Sequence, residues 1–317
     1  MGFEELLGNE RLRENLAGSI ARGRVSHFYL ISGPAGSGKR TLARLLAAAI
    51  VCQGHRKPCC NCAPCRKVMN SSHPDFITID DPEKKTVPVE LIRQARADIY
   101  IQPNEADRKI YLFPRAHDMA DPSQNALLKI LEEPPAYGVF ILLTNNPAKL
   151  LPTVRSRCTE LALQPLPETL LRRVLANDFP QADAEAITAA IVRSGGYLGQ
   201  ARELLEAGET VSVQTELFLR GFGQRDPIAL LQALVPMEKW KRDQLIPELQ
   251  QWTEVAENAL ACRSGAPAAT PMARELSQRR SAKELLAAIQ YLQKATDYAQ
   301  GNISTAAICG WLAWVLR

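Results

Sequence analysis

Short apolar runs alternate with amphipathic patterns through the first half of the chain. Five runs of four or five mostly apolar residues predict β-strands, and three longer amphipathic stretches between them predict helices. This alternation is typical of a parallel sheet covered by helices, so the sequence predicts an α/β domain. The predicted strands cover residues 27–31, 76–79, 110–113, 139–143 and 159–163, and the predicted helices cover residues 39–51, 89–100 and 122–132.

The remainder of the chain is predicted to be helical. After the fifth strand the β pattern ends, and residues 168–207 have the pattern of a small helical bundle that is broken at Gly195 and Gly196. Beyond this bundle the pattern stays helical, with turn signals at residues 221–223 and 264–271. The fold class is therefore α/β plus all-α. The predicted bounds are 1–166 for the α/β domain, 167–208 for a small helical domain and 209–317 for a C-terminal helical domain.

Charge and composition exclude several classes of protein. With 317 residues and 46% hydrophobic content, the chain is long enough for two or three ordinary globular domains. The formal net charge is only +4 and no long run of Lys or Arg occurs, so charge alone does not indicate a nucleic-acid-binding protein. The N-terminus is acidic without an apolar signal core, and the most apolar segment, residues 306–316, is too short to span a bilayer. We therefore expect a cytoplasmic protein with no membrane contact.

A glycine-rich string, GPAGSGKRT, lies between the first predicted strand and the helix at residues 39–51. Gly33, Gly38 and Lys39 have the spacing G-x-x-x-x-G-K, and Gly36 lies between them. In such a loop the glycines let backbone amides point at phosphate oxygens, and the lysine reaches the outer phosphates. Because the string also has the required strand before it and helix after it, it predicts a P-loop fold with a candidate site for ATP or ADP.

The groups that P-loop hydrolysis needs are missing. Arg40 stands where a hydroxyl would bind Mg²⁺, and Thr41, one residue further along, is turned away by about 100° on a helix. Pro114 and Arg115 follow the third strand, where P-loop ATPases carry acidic residues. Without a metal ligand and a water-polarising carboxylate we expect no hydrolysis by this chain. Two interpretations of the loop stay open: a relic that keeps its shape for packing, which we favour, and a site that binds nucleotide with Arg40 in place of the metal.

Five of the eight cysteines fall within the string CQGHRKPCCNCAPCRK. Three of them repeat a C-x-x-C step, and a fourth comes at the end of the preceding predicted helix. Four thiolates that converge on one ion make a closed tetrahedral site, so we predict structural Zn²⁺ in an insertion over residues 52–65. A redox dithiol, a set of unligated thiols, and His55 or Cys60 in place of the first cysteine are less favoured alternatives. The predicted ligands are Cys52, Cys59, Cys62 and Cys65.

Four longer features occur in one order along the chain. They are the four-cysteine insertion after the P-loop helix, HPDF at residues 73–76, NALLKILEEPP at residues 125–135 and LLPTVRSRC at residues 150–158. Together they resemble the bacterial DNA polymerase III clamp-loader subunits of the AAA+ class. The resemblance covers the first two thirds of the chain by motif and the remainder only by length and helical character. It implies an AAA+ domain over residues 1–166, a helical lid, and a C-terminal collar that holds subunits in a ring.

Within this family, the missing groups resemble those of the delta prime subunits. The gamma and tau motor subunits keep the Walker A hydroxyl, the acidic Walker B pair and an arginine in the lid, whereas Gly199, in GGYLGQA, stands at the arginine position here. The resemblance implies a non-catalytic part of a DNA polymerase holoenzyme that assembles with gamma or tau and delta. It also implies that the sliding clamp and primer-template DNA are met through the complex, in the replisome at the bacterial nucleoid.

The string TVRSRC contains the arginine to which the resemblance assigns a catalytic role. Arg157 is expected to act as an arginine finger in the ATP site of a neighbouring subunit, which in related NTPases accelerates phosphoryl transfer by about 10³ to 10⁵. Arg155 is the less favoured candidate for the finger. The alternative without a finger role is that Arg157 is an ordinary surface residue at the start of a strand. Asn125 and Lys129 are candidates for residues that face DNA in a central channel, although such residues are usually only solvated.

Two other functions compete with this interpretation. An active gamma-type ATPase is opposed by Pro114, Arg115 and Gly199. A P-loop kinase for a small molecule would need an acceptor pocket and a metal ligand, and the sequence offers neither. It would also leave the LEEPP and SRC strings unexplained.

Overall fold

A computed structural model of the protein describes residues 2–207, 212–266, 270–301 and 303–317. Two compact units make up the chain. The first contains Met1–Leu171 and Gly195–Gln200, and the second contains Arg172–Ser194 and Ala201–Arg317. The three-domain division stays a prediction, and its boundary between residues 208 and 209 lies outside the described residues.

The first unit is built on a five-stranded parallel sheet of order β2-β3-β4-β1-β5. All five strands were predicted, each to within one residue at either end. The three inner strands β1, β3 and β4 are buried along their whole length, which explains their continuous apolar runs. The strands are β1 (Phe28–Ser32), β2 (Phe76–Thr78), β3 (Lys109–Phe113), β4 (Gly138–Thr144) and β5 (Thr159–Ala162).

Helices cover both faces of this sheet. Alternate residues of β3 show the division, because Ile110 packs in the cluster that contains helix α2 whereas Tyr111 packs in the cluster that contains α4 and α5. The predicted α/β class is therefore confirmed, with the P-loop at the carboxyl end of β1. The helices of this part are α1 (Glu10–Ala21), α2 (Lys39–Val51), α3 (Ala63–Met69), α4 (Val89–Asp98), α5 (Asp121–Glu132) and α6 (Pro152–Arg155), with 3₁₀ turns at Phe3–Glu5, Ala116–Asp118 and Pro147–Lys149.

The rest of the described chain is helical, as predicted. The break at Gly195 and Gly196 is present, and both residues have left-handed backbone angles, with φ of 58° and 88°. A long pair, α12 and α14, forms the centre of the second unit's core around Trp252. The helices are α7 (Glu168–Asp178), α8 (Ala184–Arg193), α9 (Leu198–Ala207), α10 (Val213–Phe218), α11 (Pro227–Met237), α12 (Arg242–Arg263), α13 (Pro271–Arg279), α14 (Ala282–Gln300) and α15 (Thr305–Val315).

The predicted turn at residues 221–223 was wrong. These residues lie in a one-turn π-helix, Leu219–Gly223, that continues α10. Gly221 serves packing instead of a turn, because a Cβ there would lie 2.6 Å from the backbone nitrogen of Leu230. At the other predicted turn, Ser264 caps α12 and Pro271 begins α13, while residues 267–269 lie outside the described residues.

Two apolar segments of the second unit differ in burial. On α14, Leu285, Ile289 and Leu292 are buried, but Leu286 is 49% exposed because it lies about 100° round the helix from Leu285. The apolar C-terminal segment forms the short helix α15, which buries Ile308 and other residues in the second unit's core. None of the described helices is both long and apolar enough to cross a membrane.

Candidate nucleotide site and cysteine cluster

The P-loop is formed between β1 and α2, and its lysine is bonded to the loop itself. Gly36 and Gly38 have left-handed φ values of 68° and 94°, which explains the need for glycine at both positions. The Lys39 amine donates to the carbonyl oxygens of Gly33 at 2.7 Å and Pro34 at 2.6 Å. The group that would reach the outer phosphates of a nucleotide is therefore already occupied by backbone acceptors.

A distant segment also contacts the loop. The Gly199 amide donates to the carbonyl oxygen of Gly36 at 2.9 Å. A Cβ on Gly199 would lie 2.5 Å from the Cα of Gly36, and a Cβ on Gly36 would lie 2.3 Å from the Gln200 nitrogen. The first turn of α9 thus packs directly on the P-loop backbone at Gly199.

The polar groups around the loop are partly buried. Burial, and secondarily the charge of Arg40, lowers the pKa of Lys39 to about 8. The Ser37 hydroxyl is buried and has no hydrogen-bond partner among the described residues. Arg40 and Thr41 are both exposed on the first turn of α2. The structure thus brings the predicted glycines and Lys39 together, and it leaves Thr41 on the outer side of the helix.

Arg115, at the end of β3, is bound by nearby acidic residues. Its guanidinium donates to Asp80 Oδ1 from Nε at 2.9 Å and from Nη2 at 2.7 Å, and to the Asp81 carbonyl at 2.7 Å. It also donates to the Lys84 carbonyl at 3.0 Å and lies 3.7 Å from Asp118 Oδ2. Where an ATPase presents carboxylates for a metal, this chain uses a cation to bind the segment that follows β2.

Sequence reasoning missed a histidine at the same edge of the sheet. His117 lies near the end of β3, and the backbone amide of Asn145, just after β4, lies 3.4 Å from its Nδ1. Burial lowers the pKa of His117, although the Asp118 charge opposes this effect, so burial favours the neutral imidazole. The position of His117 soon after a predicted strand could have indicated this placement, because polar residues that follow neighbouring parallel strands meet at one edge of the sheet.

Arg157 lies at the surface between α6 and β5. Its guanidinium donates to the Thr153 carbonyl at 3.0 Å, and Nη2 is 3.6 Å from Glu132 Oε1. The side chain is 40% exposed, whereas Arg155 is held by Glu160 at 3.1 Å. Among the described residues, the Arg157 guanidinium therefore has one direct hydrogen bond and one longer ion pair.

The four predicted cysteines converge at the other end of α2. Cys52 caps that helix, Cys65 lies on α3, and both are buried. The sulfurs of the four residues all lie within 4.8 Å of one another. Tetrahedral zinc with bonds of about 2.3 Å separates its sulfurs by roughly 3.8 Å, so the cluster needs only a small contraction to hold an ion.

Backbone amides point at the cluster. The amides of Gly54 and Cys59 each lie 3.3 Å from Cys52 Sγ, and the Cys62 amide lies 3.3 Å from Cys59 Sγ. Hydrogen bonds from the amides of Asn61 and Cys62 lower the pKa of Cys59 to about 6, because they favour the thiolate. Burial raises the pKa of Cys52 and of Cys65. A set of four sulfur donors with amide hydrogen bonds suits a thiophilic ion such as zinc, so the cluster can bind a metal ion.

The alternative ligands lie elsewhere. Cys60 has a left-handed φ of 54° and interacts with Glu5, whose negative charge and hydrogen bond add to burial in raising the pKa of the Cys60 thiol to about 11. His55 lines a separate cavity beside α1. Among the described residues, the group that can hold a metal is therefore the four predicted cysteines.

The HPDF string has a structural role. Asp75 is fully buried, and its carboxylate accepts hydrogen bonds from the amides of Asn104, Glu105 and Ala106 at 2.6 to 2.9 Å. Burial alone would raise the pKa of Asp75, but these hydrogen bonds lower it overall. His73 is also buried, and its Nδ1 accepts from the Asp75 amide at 3.1 Å. The motif therefore fixes the loop before β3.

Comparison with known proteins agrees with the resemblance drawn from the sequence. A family model described as "DNA polymerase III, delta subunit" matches residues 8–167, which is half of the chain. The chain belongs to this family. The matched segment contains the whole sheet, the P-loop, the cysteine cluster and Arg157.

Individual relatives are similar over part of their length. DNA polymerase III subunit gamma from Buchnera aphidicola subsp. Schizaphis graminum is 34% identical over 210 residues, which cover 64% of this chain and 57% of that protein. Subunit tau from Bacillus subtilis is 37% identical over 158 residues, covering 49% of this chain and 28% of that protein. A gamma subunit-related protein from Thermotoga maritima has a TM-score of 0.44 and 18% identity, covering 96% of this chain and 98% of that chain.

Proposed function

We propose that this chain is a non-catalytic, delta prime type subunit of a DNA polymerase III clamp loader. One observation carries this proposal: Arg115, bonded to Asp80 at 2.7 Å, stands at the end of β3 where hydrolysis requires a carboxylate. The delta prime type is favoured over the gamma type because the nearby carboxylate of Asp80 is paired with the Arg115 guanidinium, and Asp118 lies 3.7 Å from the same guanidinium.

The proposed partners are gamma or tau and delta subunits, with the sliding clamp and primer-template DNA engaged through the complex. Similarity to proteins named gamma and tau supports this assembly. Within it, Arg157 extends into the ATP site of a neighbouring subunit and neutralises charge that develops on the transferred phosphoryl group. Its exposure and its weak contact with Glu132 at 3.6 Å support a role outside its own chain.

We propose a structural role for the cysteine cluster, with Cys52, Cys59, Cys62 and Cys65 as ligands of Zn²⁺. A bound ion would cross-link the end of α2, helix α3 and the loop between them. Four protein ligands leave no open position for a substrate, so catalysis at the metal is not expected.

The decisive experiment reconstitutes the chain with gamma or tau and delta subunits, sliding clamp and primed DNA. Arg157→Ala should leave assembly intact, as judged by size-exclusion chromatography. ATP turnover at the neighbouring site should fall by about 10³ or more, because a finger in trans contributes about that factor. The total ATPase rate and the clamp-loading rate of the complex should therefore fall by the fraction that the neighbouring site contributes.

Two further arginine variants make the experiment specific. Arg93→Ala is the matched control, because Arg93 is also an exposed arginine beside a carboxylate, Glu90 at 2.6 Å. Arg155→Ala separates the two arginines of the TVRSRC string. Unchanged hydrolysis by Arg157→Ala in a confirmed complex would contradict the finger assignment, and normal ATP turnover by the isolated wild-type chain would favour the gamma-type alternative.

A further inference from the structure

The P-loop is closed by contacts that come from its own chain. A phosphate binds such a loop when the loop amides and the lysine are free to point at its oxygens. Here the Ser37 amide donates to the Pro34 carbonyl at 3.3 Å, and the Lys39 amine donates to the carbonyls of Gly33 and Pro34. Two donors that would face a phosphate, the Ser37 amide and the Lys39 amine, are thus bonded within the loop.

The first turn of α9 completes the closure. Gly199 donates its amide to the Gly36 carbonyl at 2.9 Å, and the two backbones are so close that neither residue tolerates a Cβ without a shift. Opening the loop requires loss of this hydrogen bond and of both lysine hydrogen bonds. The close approach depends on glycine at both positions, and Gly199 is a helical residue with no need for glycine on conformational grounds.

We propose that the contact between Gly36 and Gly199 keeps nucleotide out of the P-loop, so that steric closure, and not the loss of the magnesium hydroxyl at Arg40, makes this subunit nucleotide-free. Glycine at position 199 then has a function of its own, because the lack of a Cβ lets the α9 backbone contact the P-loop. The proposal deepens the proposed function and rests on it for its significance. Nucleotide binding is measured on the isolated chain, however, so it can fail while the finger assignment of Arg157 stands.

The test is a titration of the full-length chain with a fluorescent ADP analogue, with and without Mg²⁺. Wild type and Arg40→Thr should show no saturable binding at up to about 1 mM nucleotide. Gly199→Ala should bind, because its Cβ would lie 2.5 Å from the Gly36 Cα and must separate the two backbones. Adding Arg40→Thr to Gly199→Ala should strengthen binding at least tenfold in Mg²⁺, since the metal then regains a hydroxyl ligand.

Alanine is a better helix former than glycine, so Gly199→Ala does not weaken α9 itself. Gly310→Ala is the matched control, because Gly310 is also helical and a Cβ there meets nothing within 4 Å. Tight ADP binding by wild type, restoration by Arg40→Thr alone, or a folded Gly199→Ala protein that does not bind would each overturn the proposal.

Hydrogen exchange on the wild-type chain gives a second test that needs no variant. The Gly199 amide should be protected, and 5 mM ADP with Mg²⁺ should leave exchange across residues 33–39 and 198–200 unchanged. Rapid exchange at Gly199, or a change in protection caused by ADP, would show that the loop opens and would overturn the closure.

Discussion

The two ends of helix α2 carry the two most recognisable motifs of the chain, and the surrounding structure treats them differently. At the N-terminal end, the Lys39 amine donates to the carbonyls of Gly33 and Pro34, and the Gly36 carbonyl of the P-loop accepts from the Gly199 amide. At the C-terminal end, four cysteine sulfurs converge within 4.8 Å. The P-loop lysine is bonded within its own loop, whereas the four cysteine sulfurs face a common centre.

This difference separates the shape of a motif from its use. Spacing along the chain brings binding groups together, as in GPAGSGKRT and in C-x-x-C-x-x-C. What packs against these groups also depends on residues that are distant in sequence, such as Gly199, whose amide donates to the Gly36 carbonyl. The following predictions test the comparison from the largest expected effect to the smallest.

Loss of a cysteine ligand should have the largest effect. Cys62→Ser should release the metal and lower the melting temperature by roughly 10 °C, because the binding free energy of a structural ion contributes directly to folding. Metal content of the purified chain and thermal unfolding measure the two effects. Cys60→Ser is the control, since Cys60 lies outside the cluster. A Cys62→Ser protein with full metal content would break the comparison.

Removal of Arg115 should have an intermediate effect. Arg115→Ala leaves Asp80, whose side chain is only 13% exposed, without its cation. An unpaired, mostly buried acceptor costs about 2 kcal/mol of unfolding free energy, which chemical denaturation measures. The exposed control Arg93→Ala should change stability by less than about 0.5 kcal/mol. Equal, small effects in both variants would show that Arg115 is not a structural residue.

Replacement of Lys39 should have a smaller effect on the free energy of unfolding, and this effect should depend on pH. Its pKa is about 8 in the folded chain, below the ordinary 10.5. Between these values the unfolded chain binds more protons than the folded chain, so the contribution of Lys39 to stability rises as the pH increases from 8 to 10.5. The penalty for burying its charge is fully present below pH 8.

Chemical denaturation at pH 7.5, 9 and 10.5 measures this effect. The unfolding free energy of wild type minus that of Lys39→Met should increase with pH, whereas wild type minus Lys129→Met should not follow this trend, since Lys129 is exposed on α5. Parallel pH profiles of wild type and Lys39→Met would mean that the amine is solvated and that the P-loop is open.

Local patterns were sufficient for most of the fold. The five strands and the start of α2 at Lys39 are correct because a parallel sheet buried on both faces leaves continuous apolar runs. The turn predicted at Gly221 was wrong, because that glycine serves a close contact with Leu230. A run of adjacent apolar residues does not specify which side of a helix faces the core, and on α14 Leu285 is buried whereas Leu286 is exposed.

The sequence by itself determined the sheet, the P-loop position, the four cysteines and the missing carboxylates, because each depends on residue type and spacing within a short segment. Only the tertiary structure decided that Arg115 binds Asp80, that Asp75 fixes the loop at residues 104–106, and that Gly199 packs on Gly36. These contacts join segments separated by 29 to 163 residues. A hydrogen bond or a close backbone approach of this kind depends on where the fold brings the chain back, and no local periodicity encodes it.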